Sequence, residues 1–310
     1  MTTSIIATDT TFSNYIGKGN FLGSYPDAIV AYSLRAIGTR YVGPIIRIRR
    51  SSDSQEQDFY AHFGTVNIDE VKAFVGSNTG FVSIWYDQSG NGLHAFQPVL
   101  ESQPMVVKNG TVILLNSKNC LMFDGVNDCL QVPEPVARQF SDGVTDLSVF
   151  AACIPKDPAQ EFTVFSIAAR ASTNPGINDF MLFQSNAQYN GTARQSAGAL
   201  FRKVTGTSNN DRAAVSAGGP ATNVPVVFGM VRENGDMTII DATTSKSTAG
   251  ITVGAMNLAI ATIGATRRGV NGTVEASNVD SKVAELIIYR KSYAPLAAEV
   301  IGNIAQYYSV

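Results

Sequence analysis

Cysteine, histidine and charge are all scarce in this 310-residue chain, and each scarcity argues against a class of protein. The three cysteines, Cys120, Cys129 and Cys153, are an odd set without a CxxC spacing. That excludes a disulfide framework and, with only His62 and His94 to assist, argues against a zinc centre. The thiols are expected to be small apolar fillers of strands. Charged residues make up 15 % of the chain and the formal net charge is −2. Such a balance supplies no field for nucleic acid or for an anionic membrane surface. No apolar run is long enough to span a bilayer, so membrane insertion is not expected. The opening "MTTSIIATDTTFSNY" has neither a basic n-region nor an apolar h-region, and no signal peptide is read there. A Gly-x-Ser-x-Gly elbow is missing too, and neither histidine sits in a suggestive context.

What is present is apolar residue, at 45 %, and an abundance of Thr, Ser, Asn and Gly. A chain of this length buries about three quarters of its extended surface. Residues 1–24 are polar and Thr-rich, and are read as an arm or attachment segment ahead of a body over 25–310. In "DAIVAYSLRAIG" the residues Ile29, Val30, Leu34 and Ile37 recur at helical spacing and predict a helix. "GPIIRIRRSSD" alternates, with Ile46 and Ile48 on one face and Arg47 and Arg49 on the other. It predicts a strand whose arginines pair locally with Asp53 and Glu56. "IDEVKAFVG" predicts one short helix.

From residue 104 onward, strands joined by turns dominate. Asn109-Gly110 and Asn234-Gly235 each predict a hairpin tip, because a type I′ turn needs positive φ twice. The Asn-Gly-Thr triplets at Asn109, Asn190 and Asn271 are evenly spaced, but their flanks differ and they are read as turn chemistry. "NLAIATIGA" and "SKVAELIIYR" predict further strands. "YAPLAAEVIGNIAQYYSV" predicts a closing helix with Pro295 in its first turn and Val300, Ile301, Ile304 and Tyr308 as its apolar stripe. Many short strands, Gly-rich turns and one late helix argue for an all-β sandwich.

The densest chemistry lies in "FVSIWYDQSGNGLHAFQP", where a strand holding the one Trp runs into Asp87-Gln88-Ser89-Gly90-Asn91-Gly92. Asp87, Ser89 and Asn91 followed by Gly92 match the first half of a calcium loop, but the twelfth position is Pro98 where a bidentate Glu belongs. Three readings stay open, with a structural corner foremost. The others are a ligand surface and a calcium site on Asp87, Ser89 and Asn91. Trp85 and Tyr86 point to opposite faces of the strand, so at most one is expected to face a ligand. "CLMFDGVNDCLQVP" offers Asn127 and Asp128 as a second set of oxygen ligands, or else another Asx-rich turn. The ligand-binding candidates are thus Trp85, Tyr86, Asp87, Asn91, Asn127 and Asp128. Glu161, Asp179, Glu275 and Glu285 are scattered acids, expected as surface or turn charges.

"AYSLR", "GPIIRIRRSSD", "GFVSIWYDQSGNGLHAFQ" and "QPMVV", in that order, resemble the N-terminal part of the catalytic domain of α-L-arabinofuranosidase B. The same string is similar to modules of bacteriophage virion and tail proteins. "LMFDGVNDCLQVP", "DLSVFAACIP", "VVFGMVRENGDMTII" and "SKVAELIIYRKSYAPLAAEVIGNIAQYY" resemble the strand order of concanavalin A-like, laminin-G-type sandwiches. The resemblance implies a jelly-roll of two antiparallel sheets with a few short helices, one at the C-terminus. It also implies carbohydrate chemistry on a concave face or on loops at one end. The arabinofuranosidase's adjacent-cysteine disulfide has no counterpart over 155–215, and its catalytic carboxylate pair finds no match. The leading expectation is therefore a non-enzymatic virion protein of tail, fibre or capsid, homo-oligomeric and localised to the particle. It would bind host glycans or decorate, with its arm gripping other virion proteins. A glycoside hydrolase is the alternative.

Overall fold

The structure, a computed structural model, describes residues 20–142, 146–156, 160, 162–169, 180–187, 195–202, 212–217, 223–241, 245–248, 256–267 and 280–310. Two antiparallel sheets lie face to face. The first runs from Ser245–Thr248 through Asp236–Asp241, Val226–Glu233 and Leu147–Pro155 to Asp280–Tyr289. Asp280–Tyr289 has its far edge shared by Ala28–Ser33 and Leu121–Asp124. The second runs from Arg212–Ala217 through Gln195–Arg202, Phe180–Ala187 and Phe162–Ala169 to Leu258–Ile263 and Leu130–Val132. Ala95–Phe96, Gly80–Trp85, Ile46–Arg50 and Glu56–Phe59 continue it, and Met105–Lys108, paired with both Gly80–Trp85 and Leu121–Asp124, joins the two sheets along one edge. This is the expected jelly-roll sandwich with few short helices.

Period-2 alternation places the core. Val149, Ala151 and Cys153 face the second sheet, where Phe183 stacks on Phe228 with ring centroids 4.3 Å apart. Phe150 and Ala152 face outward, against Val300, Ile301, Ile304 and Tyr308 of the C-terminal helix Ala297–Tyr308. The strands Ala28–Ser33, Leu147–Pro155, Val226–Glu233 and Asp280–Tyr289 of the first sheet are thus buried on both faces and read as near-continuous apolar runs. Pro295 stands in a 3₁₀ turn, Ala294–Leu296, just ahead of that helix. Gly229 sits where Phe150 crosses: a Cβ there would stand 2.5 Å from the ring.

The burial of both faces explains the one element misread from sequence. Residues 28–33 are a strand and not a helix, and all six residues are buried. Val30 and Tyr32 enter the inter-sheet core while Ala28 and Ala31 enter the outer one. An apolar run buried on two sides has no period that separates strand from helix. The helix at Ile68–Val75 forms as expected, capped by Asn67, whose side chain accepts from Glu70 N–H. Both Asn-Gly tips have positive φ at both residues: 48° and 75° at Asn109-Gly110, 51° and 88° at Asn234-Gly235.

Phe21–Ser24 is one helical turn, with Phe21 buried in the outer core, so the packed body reaches back at least that far. Residues 1–19 of the expected arm, with Asn190, Asn271, Glu161, Asp179 and Glu275, lie outside the described residues. All three cysteines are free and buried, Cys153 within a strand and Cys120 and Cys129 just ahead of one. Among the described residues no helix is long and apolar enough to cross a membrane.

Candidate functional site

Strand Gly80–Trp85 and the residue that follows it deliver two aromatics, Trp85 and Tyr86, to different environments. Trp85 is fully buried against the Tyr32 ring, at 5.7 Å between centroids, inside the inter-sheet core. Tyr86 is buried as well and donates its hydroxyl to Asp58 Oδ1 at 2.7 Å. Asp58 also takes both Arg47 nitrogens, at 2.7 and 2.8 Å. Burial and the Asp58 carboxylate together raise the Tyr86 phenol well above its ordinary range. Antiparallel pairing sets Asp58 opposite Arg47, so Asp58 takes the role expected of Glu56. Asp53 pairs with Arg50 as expected.

The oxygen-rich loop that follows acts on backbone. Strand Ala28–Ser33 pairs with Asp280–Tyr289 along one edge only. Along its other edge the loop's side chains do what a neighbouring strand would do. Asp87 Oδ1 accepts from Ala31 N–H at 2.9 Å, and Asn91 Nδ2 donates to the Ala28 and Ile29 carbonyls. Gln88 Nε2 donates to the Ser33 and Arg35 carbonyls while its oxygen accepts from Ile37 N–H. Asp87 also accepts from Ser89 N–H, Ser89 Oγ and Leu93 N–H. With Ala31 that makes four donors on two oxygens, the full lone-pair complement of a carboxylate. Asp87, Ser89 and Asn91 therefore do come together, as a hydrogen-bonded corner in which Asp87 keeps no lone pair for a cation. Gly90 and Gly92 supply the positive φ, 94° and 70°, that the corner needs. Among the described residues no three His, Cys, Asp or Glu converge as metal ligands.

The outer side of this corner is one wall of a cleft of about 1000 Å³. Gln88, Ser89, Asn91 and Leu93 line it together with Asn20, Asp27, Thr39, Arg40, Tyr41, Gln139 and Arg290. The wall is mostly amide, hydroxyl and guanidinium. Several of these groups are already fixed: Gln88, Ser89 and Asn91 by the bonds above, which spend the side-chain hydrogens of all three, and Tyr41 by a 2.8 Å bond from its hydroxyl to the Pro44 carbonyl.

Asn127 and Asp128 are elsewhere, in the turn between Leu121–Asp124 and Leu130–Val132. Asp124 Oδ1 accepts from Val126, Asn127 and Asp128 N–H, and Asp128 Oδ2 accepts from Asp124 N–H at 2.9 Å. Asp128 is 3 % exposed. Burial first, and then the Asp124 carboxylate, push its carboxyl up to about 7.

Two features escaped the sequence. Glu285 is not a surface charge but a fully buried one, paired with Arg35 Nε and Nη2 at 2.8 Å each. Ser33 Oγ donates to it as well, at 2.7 Å. The second is a buried polar stripe on the second sheet, made by Thr163, Ser166, Gln184, Thr262 and Thr266. Gln184 Nε2 donates to Thr163, whose hydroxyl also meets that of Thr266 at 2.9 Å. The only sequence signal for it is a hydroxyl residue recurring inside "FTVFSIAA" and "LAIATIGA".

No protein-family model and no curated protein matches the chain. Solved structures do. An arabinofuranosidase complexed with arabinofuranosyl-α-1,2-xylobiose superposes with a TM-score of 0.61 at 14 % identity. A GH54 α-L-arabinofuranosidase soaked with a cyclic sulfate inhibitor gives 0.61 at 13 %. What is shared is the fold. Each likeness covers 93 % of this chain, which spans 64 % of the length of those arabinofuranosidases.

Proposed function

We propose that the chain is a non-enzymatic carbohydrate-binding sandwich carried on a bacteriophage particle, as a tail, fibre or capsid-decoration protein. The cleft beside the Asp87–Gly92 corner takes a glycan of the host surface. The observation that carries this reading is the cleft wall, where amide and hydroxyl groups are held in place before any ligand arrives. Sugar hydroxyls are recognised by such fixed donors and acceptors, and preorganisation lowers the entropy cost of binding. The fold shared with arabinofuranosidases supports it, as does the ordered string of motifs resembling virion modules. On this reading residues 1–24 attach to other virion proteins and copies assemble by symmetry.

Hydrolysis is the second reading, and it needs two carboxyl groups about 5 to 10 Å apart across the substrate. The cleft is lined by one carboxylate, Asp27, which Lys291 Nζ holds at 2.7 Å. Binding is therefore favoured over cleavage here. The test is a glycan array of the purified protein, read with calcium and again with EDTA. The expected result is selective binding that survives EDTA and falls about tenfold, or roughly 1.4 kcal/mol, in Thr39→Ala with Gln139→Ala. Release of reducing sugar would overturn the non-enzymatic reading, and an array without any bound glycan would overturn the binding one.

A further inference from the structure

The charges of the cleft point past a neutral sugar. Three of its lining side chains ionise: Asp27, Arg40 and Arg290. Asp27 is occupied by Lys291. Arg290 is held loosely, with Nη2 3.6 Å from Asp142 Oδ2 and 51 % of its side chain exposed. Arg40 is exposed and, among the described residues, forms no salt bridge. Cleft and immediate neighbours thus set Arg40, Arg290 and Lys291 against Asp27, Asp142 and Asp87, three charges of each sign. Asp87 is buried behind the wall with its lone pairs spent on four donors, Asp27 is held by Lys291, and Arg40 is left facing the cleft with no carboxylate among the described residues. An unpaired cation in a cleft marks a place where an anion gains on approach. A guanidinium adds geometry to charge, because its planar fork meets two oxygens of a carboxylate or sulfate at once.

We propose, resting on the glycan reading of the same cleft, that the ligand carries a negatively charged sugar residue, a uronate or a sulfate ester. Arg40 makes the main contact to the anion. Arg290 makes a second one, weakened by its competition with Asp142. Ser89 Oγ and Asn91 Oδ1, whose side-chain hydrogens are spent within the corner, accept from hydroxyls of the same or the adjoining sugar, and the Gln139 amide on the other side offers a donor and an acceptor. Desolvation in a cleft makes such a charge pair worth more than on an open surface, yet salt still screens it.

The experiment is calorimetry with three probes: trigalacturonate, its carboxyl-reduced neutral counterpart, and a heparin-derived sulfated tetrasaccharide. Wild type is compared with Arg40→Gln and Arg290→Gln, at 20 mM and at 300 mM NaCl. We expect one of the two anionic probes to bind at least tenfold more tightly than the neutral one. Which of them binds identifies the anion. Arg40→Gln should remove most of that preference and Arg290→Gln a smaller part, and high salt should weaken it in wild type and in Arg290→Gln but hardly in Arg40→Gln. Arg40 lies on the surface, so an unchanged melting temperature will show that the variant is folded. Equal binding of neutral and charged probes, or indifference to Arg40→Gln, overturns the anionic inference and leaves the glycan reading standing. Failure of all three probes, with neutral arabinoxylan oligosaccharides also failing, overturns both.

Discussion

Asp128 shows how a single carboxylate can carry a sign that composition hides. Its pKa in the fold is raised from an ordinary 3.8 to about 7, first by burial and then by Asp124. A raised carboxyl binds its proton more tightly folded than unfolded, so its contribution to stability is complete below about pH 4. It is lost as pH rises towards 7. His94 acts in the opposite sense over the same range. Burial lowers its pKa, and the loss of stability it brings comes as pH falls. The groups around Asp128 are Asp124 and, through Cys129, Arg267. Urea midpoints of wild type and Asp128→Asn, measured at steps from pH 4.5 to 7.5, should diverge. The variant should gain on wild type as pH rises, since an amide keeps the acceptor for Asp124 N–H without the charge. A difference between the two that stays flat with pH would refute the assignment. The Asx-rich turn was legible from sequence; the buried carboxyl was not, because burial is set by strands that pack over it.

At the scale of elements, one ion pair ties three of them. Arg35 follows the strand Ala28–Ser33, Glu285 sits within Asp280–Tyr289, and the C-terminal helix adds Asn303 and Tyr308. The Tyr307 ring lies 4.6 Å from the Arg35 guanidinium. Arg35→Ala strands a buried carboxylate and should cost about 3–5 kcal/mol in chemical denaturation. Replacing both, Arg35→Met with Glu285→Leu, should return much of that loss, because no unpaired charge remains. Equal loss in the single and double variants would show that the contact matters for packing and not for charge. Local pattern showed the strand over 280–289 and the helix over 297–308. That Glu285 is buried and paired came only from the arginine 250 residues earlier.

The whole molecule has three thiols and hides all of them. Burial raises Cys120 and Cys153 to about 12 and Cys129 to about 11. Thiolate is the reactive form, so the native protein should give almost no colour with Ellman's reagent at pH 8, and three equivalents once unfolded in guanidinium. Fast native labelling of any one would mean that its strand opens on its own, below the global unfolding free energy. The inference of small apolar fillers from an odd cysteine count holds for all three positions, although two of them flank their strands.

Whatever depends on neighbours in the chain was decided by the sequence itself. Asn-Gly at 109 and 234 set two hairpin tips because few other pairs accept two positive φ values. The 3.6-residue spacing of Val300, Ile301, Ile304 and Tyr308 set the closing helix, and the succession of short strands and Gly-rich turns set the all-β class. Two-sided burial defeated the same method at 28–33, where an apolar run has no polar face to reveal its period. Tertiary structure alone decided what the Asp87–Asn91 loop serves. Its side chains are matched to backbone groups some 60 residues earlier, a pairing that no local rule encodes. The cleft beside it is likewise assembled from five separate stretches of chain. Asp27 and Lys291, far apart in sequence, meet beside it and leave Arg40 without a carboxylate among the described residues.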